Sequence, residues 1–278
     1  LDLVMTTPRW SLITVTYNSA ATLRQHWASP RPPDVEWIVV DNRSRDGSAA
    51  TARGLGADQV IELPRNVGFG RANNAGFGQA RGSYVAFVNP DVVVDFDSLS
   101  RLEDALDTHP GLVGPQLVYP DGASQPSGRG VPSLTNKVLS RLGVERVLRR
   151  YHIEARPGET ATAAWLVGAA VVATRDTFAS FGTEGPWDPA FFVYYEDSDL
   201  GLRSWLKGTP VHVVGDARWI HSWARETTSL RLKPWLLEMR AMWTFYRRYP
   251  DLVAGEARHG RFREMAGQWG TRTQGTIA

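Results

Sequence analysis

Residues 10–17 read WSLITVTY and residues 36–48 read EWIVVDNRSRDGS: two β-branched apolar runs that break off into polar residues, at Asn18 and Ser19 and after Asp41. Short runs of this kind, bounded by turn formers, are the signature of strands buried on both faces. Outward from them the signal alternates. Residues 20–28 suit a short helix, Ser48–Gly54 is alanine-rich and helix-compatible, and residues 59–63 (QVIEL) form a third strand. Residues 69–81 predict a helix and residues 83–88 (SYVAFV) a fourth strand. Residues 97–109 carry Leu99, Leu102 and Leu106 at helical spacing, with Asp97 or Ser98 as cap and Pro110 and Gly111 as the close. Strand–helix–strand repetition predicts an α/β fold with a mainly parallel sheet sandwiched by helices. Such sheets bind ligands at the carboxyl ends of their strands.

The second half is less regular. Residues 120–133 (PDGASQPSGRGVPS) predict a mobile loop, and residues 134–151 a basic amphipathic helical stretch that suits either solvent or an anionic surface. Residues 163–174 (AAWLVGAAVVAT) are a buried strand or strand pair. Glu196–Leu206 is helical with acidic residues in its first turn, where the helix dipole favours them. Residues 211–214 and 217–220 predict two short strands, residues 234–248 an amphipathic helix, and the last 25 residues little structure.

The chain has 278 residues, enough for one large domain or two small ones, and its 42% hydrophobic and 22% charged content is that of a globular protein. With no cysteine, disulfides, thiolate metal sites and a cysteine nucleophile are excluded. No apolar run is long enough to span a bilayer, and the first nine residues lack the pattern of a secretory signal. The charge is uneven. Residues 201–278 hold 13 Lys+Arg against 6 Asp+Glu, net +7, whereas the first 200 carry 18 against 23, net −5. A basic C-terminal third suits an anionic partner, or it balances a neighbouring acidic site.

Four polar clusters fall at strand ends or helix starts: Thr16, Tyr17 and Asn18; Asp41 and Asn42; Asn89, Pro90 and Asp91; and Glu196, Asp197, Ser198 and Asp199. Singly, each is an ordinary turn or cap; together at one sheet edge they predict a site. A carboxylate at Asp41 suits ribose hydroxyls or a base N–H. Asp91, with an imidazole and a diphosphate, suits a hard divalent cation, and His221 at another strand end is a candidate for that imidazole. Residues 65–76 (RNVGFGRANNAG) fail as a dinucleotide fingerprint, since Asn73 stands at the third glycine position, but they still form a Gly-rich loop before a helix with Arg71, Asn73 and Asn74 as donors.

Taken in order, VTYNS (15–19), VVDNRSRDGS (39–48), NVGFGRANNAG (66–76), VNPDV (88–92) and VYYEDSDLGLR (193–203), with His221, resemble the family 2 inverting glycosyltransferases of the GT-A fold, most nearly bacterial rhamnosyltransferases. The resemblance spans residues 10–225 and implies a GT-A domain over residues 1–228 with a helical extension over 229–278. It implies a nucleoside-diphosphate sugar donor, dTDP-rhamnose first and a UDP-sugar second. Thr16, Tyr17, Asn18, Asp41, Arg71, Asn73, Asn89 and Asp91 would bind it, and Asp91 with His221 would hold Mg²⁺ or Mn²⁺. Asn89 stands where the DxD motif has its first Asp. Asp197 would be the general base, with Glu196 orienting it, and Trp165, Gly168 and Asp188 would meet the acceptor, a saccharide, a lipid-linked sugar or a natural product. Residues 180–195 hold an insertion relative to the family, which reshapes the acceptor side, and Arg225 and Thr228 would reach the diphosphate. The resemblance further implies a cytoplasmic protein at or near the inner face of the plasma membrane, with no nucleic-acid partner; a homodimer is a further expectation. A sugar nucleotidyltransferase and a non-catalytic sugar-nucleotide-binding module are the alternatives.

Overall fold

The computed structural model describes residues 7–222, 232–253 and 262–274. Four parallel strands form its first half: β1 (Trp10–Thr16), β2 (Val35–Asp41), β3 (Gln59–Glu62) and β4 (Tyr84–Val88), in the order β3-β2-β1-β4. Helices α1 (Ala20–His26), α2 (Ser48–Gly54) and α3 (Phe69–Phe77) connect them. Every residue of β1 and β2 is buried, as expected of strands covered on both faces. Their register sets Thr16 opposite Asp41, so the two polar strand ends lie side by side.

The sheet then grows to ten strands, mainly parallel, with three reversed strands that periodicity does not show: β5 (Val92–Val93), β9 (Glu159–Ala163) and β11 (Ala170–Thr174). β11 runs antiparallel between β4 and β6 (Leu112–Val118), and β12 (Val211–His221) follows parallel to β6. Because β11 is reversed, its first residue, Ala170, lies opposite Val88. The chain entering β11 therefore arrives at the carboxyl edge of β4, beside Asn89 and Asp91, and the Asn89 amide donates to Ala169 O at 2.9 Å. The expected strand pair at 211–220 is a single strand with an irregularity between Val214 and Arg218. Residues 163–174 divide between the end of β9 (Glu159–Ala163), β10 (Trp165–Leu166) and β11.

Several local expectations are corrected. Residues 120–133 are not a free loop: Gln125, Ser127 and Ser133 are buried, and the Ser127 hydroxyl accepts the Leu117 amide at 2.6 Å. Polar side chains there supply the hydrogen bonds that a ladder would otherwise give, and β7 (Gly128–Arg129) joins β8 (His152–Ile153) and β10 in a small second sheet. The stretch at 134–151 is two helices, α5 (Leu134–Arg141) and α6 (Glu145–Tyr151), broken at Gly143, whose φ of 73° is left-handed. α3 stops at Phe77. The 97–109 helix begins with a 3₁₀ turn (Phe96–Ser98) capped by Asp95, whose side chain accepts the Asp97 amide, before α4 (Leu99–Thr108). Ser98 makes no cap; its hydroxyl donates to Asp95 O and accepts the Trp219 indole N–H.

The boundary drawn at 228/229 lies outside the described residues, as do Arg225 and Thr228. Beyond it, α9 (Leu232–Arg248) and α8 (Glu196–Leu206) share one core: Ala241, Phe245 and Tyr246 pack with Phe191, Tyr195 and Leu202, joined by Tyr249, Leu252 and Phe262. α10 (Arg263–Ala266) follows, and β13 (Arg272–Gln274) adds to the edge of the main sheet on β9. On α9, Trp235, Leu236, Met239 and Trp243 remain exposed. Among the described residues no helix is long and apolar enough to cross a membrane.

Candidate active site

A cavity of about 610 Å³ extends from the start of α8 to the end of β12, with Glu196, Asp197 and Trp165 in its wall at one end and His221 at the other. The backbone delivering the carboxylates is strained. Tyr194 and Tyr195 have φ of 71° and 67°, a conformation that costs a bulky residue on the order of 1–3 kcal/mol. Packing of Tyr195 against Phe245 and Tyr246 holds it there. The two left-handed residues turn the chain into α8 so that Glu196 and Asp197 occupy its first turn.

The two carboxylates have different surroundings. Asp197 Oδ1 accepts the Ser198 amide at 2.7 Å, and Oδ2 accepts the Gly168 amide at 3.4 Å. Burial raises its pKa; Lys137 and those two amides oppose the rise. Glu196 is pushed up to about 8, first by burial and then by the Asp197 charge, and its buried Oε2 has no hydrogen-bond partner. Of the pair, Asp197 is thus the one built to carry the negative charge, and Glu196 stays protonated near neutrality. Lys137 faces them from α5, with Nζ 3.5 Å from the Tyr195 ring centre and 3.3 Å from Ser198 Oγ. Burial pushes its pKa down to about 8, against the pull of Asp197.

At the other end, His221 Nε2 lies 3.5 Å from Asp91 Oδ2, and Gln125 Oε1 accepts from Nδ1 at 2.5 Å. With Nδ1 donating, Nε2 turns a lone pair toward the Asp91 carboxylate, whose buried Oδ1 has no partner. An unpaired buried carboxylate oxygen beside an imidazole lone pair fits a divalent cation with one oxygen and one nitrogen ligand, oriented from behind by Gln125. The described residues contain no cluster of three or more His, Asp or Glu ligands, so remaining coordination falls to substrate oxygens and water.

The Asp41 carboxylate accepts the Thr16 hydroxyl at 3.1 Å and the Ser44 amide at 3.0 Å, and it lines a separate cavity of about 310 Å³ with Arg43, Arg45, Glu62 and Leu63. Tyr17 is exposed beside it. Asn18 accepts the Arg45 amide at 2.8 Å.

Not every expected residue meets a ligand-accessible surface. Thr16 is fully enclosed, its hydroxyl spent on Asp41. Asn73 is buried and donates to Phe69 O within its own helix, so it faces the core and not the nucleotide. Arg71 is exposed but donates to Pro189 O. Asp188 is absent from the wall around Asp197. Burial would raise its pKa, but the Ala190 amide and Arg248, 2.7 Å away, hold it below the ordinary carboxylate range. Arg248 also meets Asp199 Oδ1 at 2.7 Å, where Tyr249 donates at 2.9 Å, and Arg203 meets Asp199 Oδ2 at 2.6 Å. Asp188 and Asp199 therefore tie α8 to α9. The 180–195 insertion is anchored the same way: Asn74 donates to Trp187 O and accepts its amide, and the Phe69 amide donates to Phe192 O.

Three cations in the cavity escaped the sequence argument: Arg129, Lys137 and Arg141. Only the fold brings β7 and α5 over α8. For Lys137 and Arg141 the signal was the basic character of residues 134–151; Arg129 had none.

The family model described as glycosyl transferase family 2 matches residues 11–155. Over 245 residues the chain is 30% identical to N-acetylglucosaminyl-diphospho-decaprenol L-rhamnosyltransferase of Mycobacterium tuberculosis (strain ATCC 25618 / H37Rv), covering 78% of this chain and 76% of that protein. It is 35% identical over 105 residues to the succinoglycan biosynthesis protein ExoO of Rhizobium meliloti (strain 1021), covering 36% of this chain and 30% of the relative. Among solved structures, the mannosyltransferase PcManGT from Pyrobaculum calidifontis in complex with GDP-Man and Mn²⁺ superposes with a TM-score of 0.61 at 19% identity, over 95% of this chain and 69% of that one. GalNAc-T7 with UDP, GalNAc and Mn²⁺ gives 0.59 at 15% identity, over 95% of this chain but 54% of its own. S. aureus TarS 1-349, of which the chain spans 60%, gives 0.52 at 17% identity over 77% of this chain. At these identities the structures speak for the fold.

Proposed function

Because the chain belongs to glycosyl transferase family 2 and has the GT-A fold, we propose that it moves a sugar from a nucleoside-diphosphate donor to an acceptor hydroxyl in a single inverting step, with Asp197 as the general base. The observation that carries this is the Asp197 carboxylate, held by two backbone amides in the wall of a cavity that reaches His221. In-line attack needs a base on the acceptor side and charge stabilisation on the leaving-group side, and the two ends of the cavity match that division.

Asp197 takes the acceptor hydroxyl proton as the hydroxyl oxygen attacks the anomeric carbon and the bond to the diphosphate breaks. The Lys137 cation keeps Asp197 ionised, and protonated Glu196 adds no second charge beside it. Asp41 would accept hydrogen bonds from the donor's ribose or base in the neighbouring cavity. Asp91 and His221 would hold Mg²⁺ or Mn²⁺, which when bound stabilises negative charge on the departing nucleoside diphosphate. Two of the structural neighbours bind Mn²⁺ with a nucleotide or sugar nucleotide, which supports this site.

The mycobacterial relative, an L-rhamnosyltransferase acting on N-acetylglucosaminyl-diphospho-decaprenol, supports L-rhamnose as the sugar and a saccharide carried on a lipid diphosphate as the acceptor; dTDP as the nucleotide rests on the motif resemblance alone. Such a pair puts the reaction at a membrane surface, where the exposed Trp235, Leu236, Met239 and Trp243 of α9 suit an interface. The test is Asp197→Asn. Transfer should fall about 10²–10⁴-fold while calorimetric binding of the nucleoside diphosphate is kept. Turnover near wild type would refute the assignment of the base.

A further inference from the structure

A second cavity, of about 1080 Å³, adjoins the catalytic one, and His152 lies in the walls of both. Arg146, Arg149 and Arg150 of α6, Arg263 of α10 and Arg272 of β13 line it, and among the described residues no carboxylate does. These arginines come from two stretches of chain more than a hundred residues apart, so they are not one solvated helix face. Arg149 pairs with Glu145 with both side chains largely exposed, which is weak, and Arg272 lies 3.6 Å from a half-buried Glu159. His152 adds no charge, since burial and Arg129 push its pKa down to about 4. Guanidinium groups converging on one concavity favour an anion there, Arg146 and Arg263 above all, and the guanidinium fork matches phosphate oxygens. The same cavity has an apolar wall of Val131, Val147, Ile153 and Trp269.

We propose that this cavity seats the diphosphate of a lipid-carried acceptor, with the first part of the hydrocarbon chain against the apolar wall and the sugar reaching past His152 toward Asp197. The inference rests on the function proposed above and adds to it the subsite that selects the acceptor.

Arg146→Gln and Arg263→Gln in the full chain test it; both residues are exposed and neither strands a partner among the described residues, and unchanged melting confirms that the fold is kept. One arm compares kcat/KM for a sugar on a prenyl diphosphate with kcat/KM for the same sugar as a neutral alkyl glycoside. That ratio should fall about tenfold for each arginine removed. An unchanged ratio overturns the proposal. The other arm titrates farnesyl diphosphate and inorganic pyrophosphate by calorimetry. Farnesyl diphosphate should bind more tightly than pyrophosphate and lose about tenfold in each variant. Equal affinity for the two overturns the lipid part of the proposal, and binding indifferent to both substitutions overturns the site. Should no acceptor be glycosylated while farnesyl diphosphate binding still depends on Arg146 and Arg263, the proposed function fails and the diphosphate site stands.

Discussion

Replacing Arg248 with Met removes one guanidinium nitrogen that lies 2.7 Å from both Asp188 Oδ2 and Asp199 Oδ1. Asp199 has no exposed surface, so its charge cannot retreat to water. Stranding a buried charge costs about 3–5 kcal/mol. Two partners stay behind, Arg203 at 2.6 Å and the Tyr249 hydroxyl at 2.9 Å, and the Arg248 side chain is already 33% exposed. Those compensations bring the expected loss to about 2–3 kcal/mol, or a fall in Tm of roughly 4–10 °C for a chain of this size. Urea unfolding followed by tryptophan fluorescence measures it, and Asp199→Asn with the double variant closes the cycle. The coupling energy should reach about 1–2 kcal/mol, because the two groups act as one unit. A loss under about 1 kcal/mol, or strict additivity, would refute the claim that this network holds α8 to α9.

The pH dependence of stability tests Glu196. Its carboxyl sits at about 8 in the folded protein against an ordinary 4.5, so the folded state keeps a proton that the unfolded chain gives up across that window. Its own contribution to stability therefore falls as pH rises from about 4.5 to 8, so Glu196→Gln should gain stability relative to the wild type across that window while costing less than about tenfold in turnover; a stability difference between the two that does not change with pH would be the contrary result. Gln125→Leu frees the His221 ring, and the Mn²⁺ concentration for half-maximal transfer should rise about 10–100-fold with kcat recovered at saturation. Gly68→Ala should cost more than about 3 kcal/mol in urea unfolding, since its φ is 92° and a Cβ would lie 2.3 Å from Phe192 O.

The half of the fold that reads directly from the sequence is the half whose strands are parallel and consecutive. In β1, β2 and β4 a β-branched or apolar run gives way to polar residues at its carboxyl end, and the register alone brings Thr16 and Asp41 to one edge. β11 gave no such warning, because a buried strand looks the same in either direction; only its pairing with β4 and β6 reverses it. Motif positions were legible, but side-chain roles were not. Asn73 lies in a loop motif yet points into the core, since its place on α3 is set by helical phase. Asp188 stands where an acceptor residue was expected, but Arg248, sixty positions later, takes it. Arg129 and Lys137 were hidden for the opposite reason. Their segment is rich in Gly, Pro and Ser or amphipathic, and nothing local marks it as the cover of α8.

The bond between α8 and α9 has a consequence for how the enzyme comes into being. Chains leave the ribosome N-terminus first. The β3-β2-β1-β4 sheet and the Asp41 pocket can form while the remainder is still being made. The helix bearing Asp197 cannot settle at that stage, because Asp199 at its heart awaits Arg248 and Tyr249, and Tyr195 awaits Phe245. The nascent chain thus gains the Asp41 edge early and the α8 edge only after residue 249 has been made. A ribosome-bound intermediate stalled before residue 245 would have the Thr16–Asp41 edge built and Asp197 not yet in place.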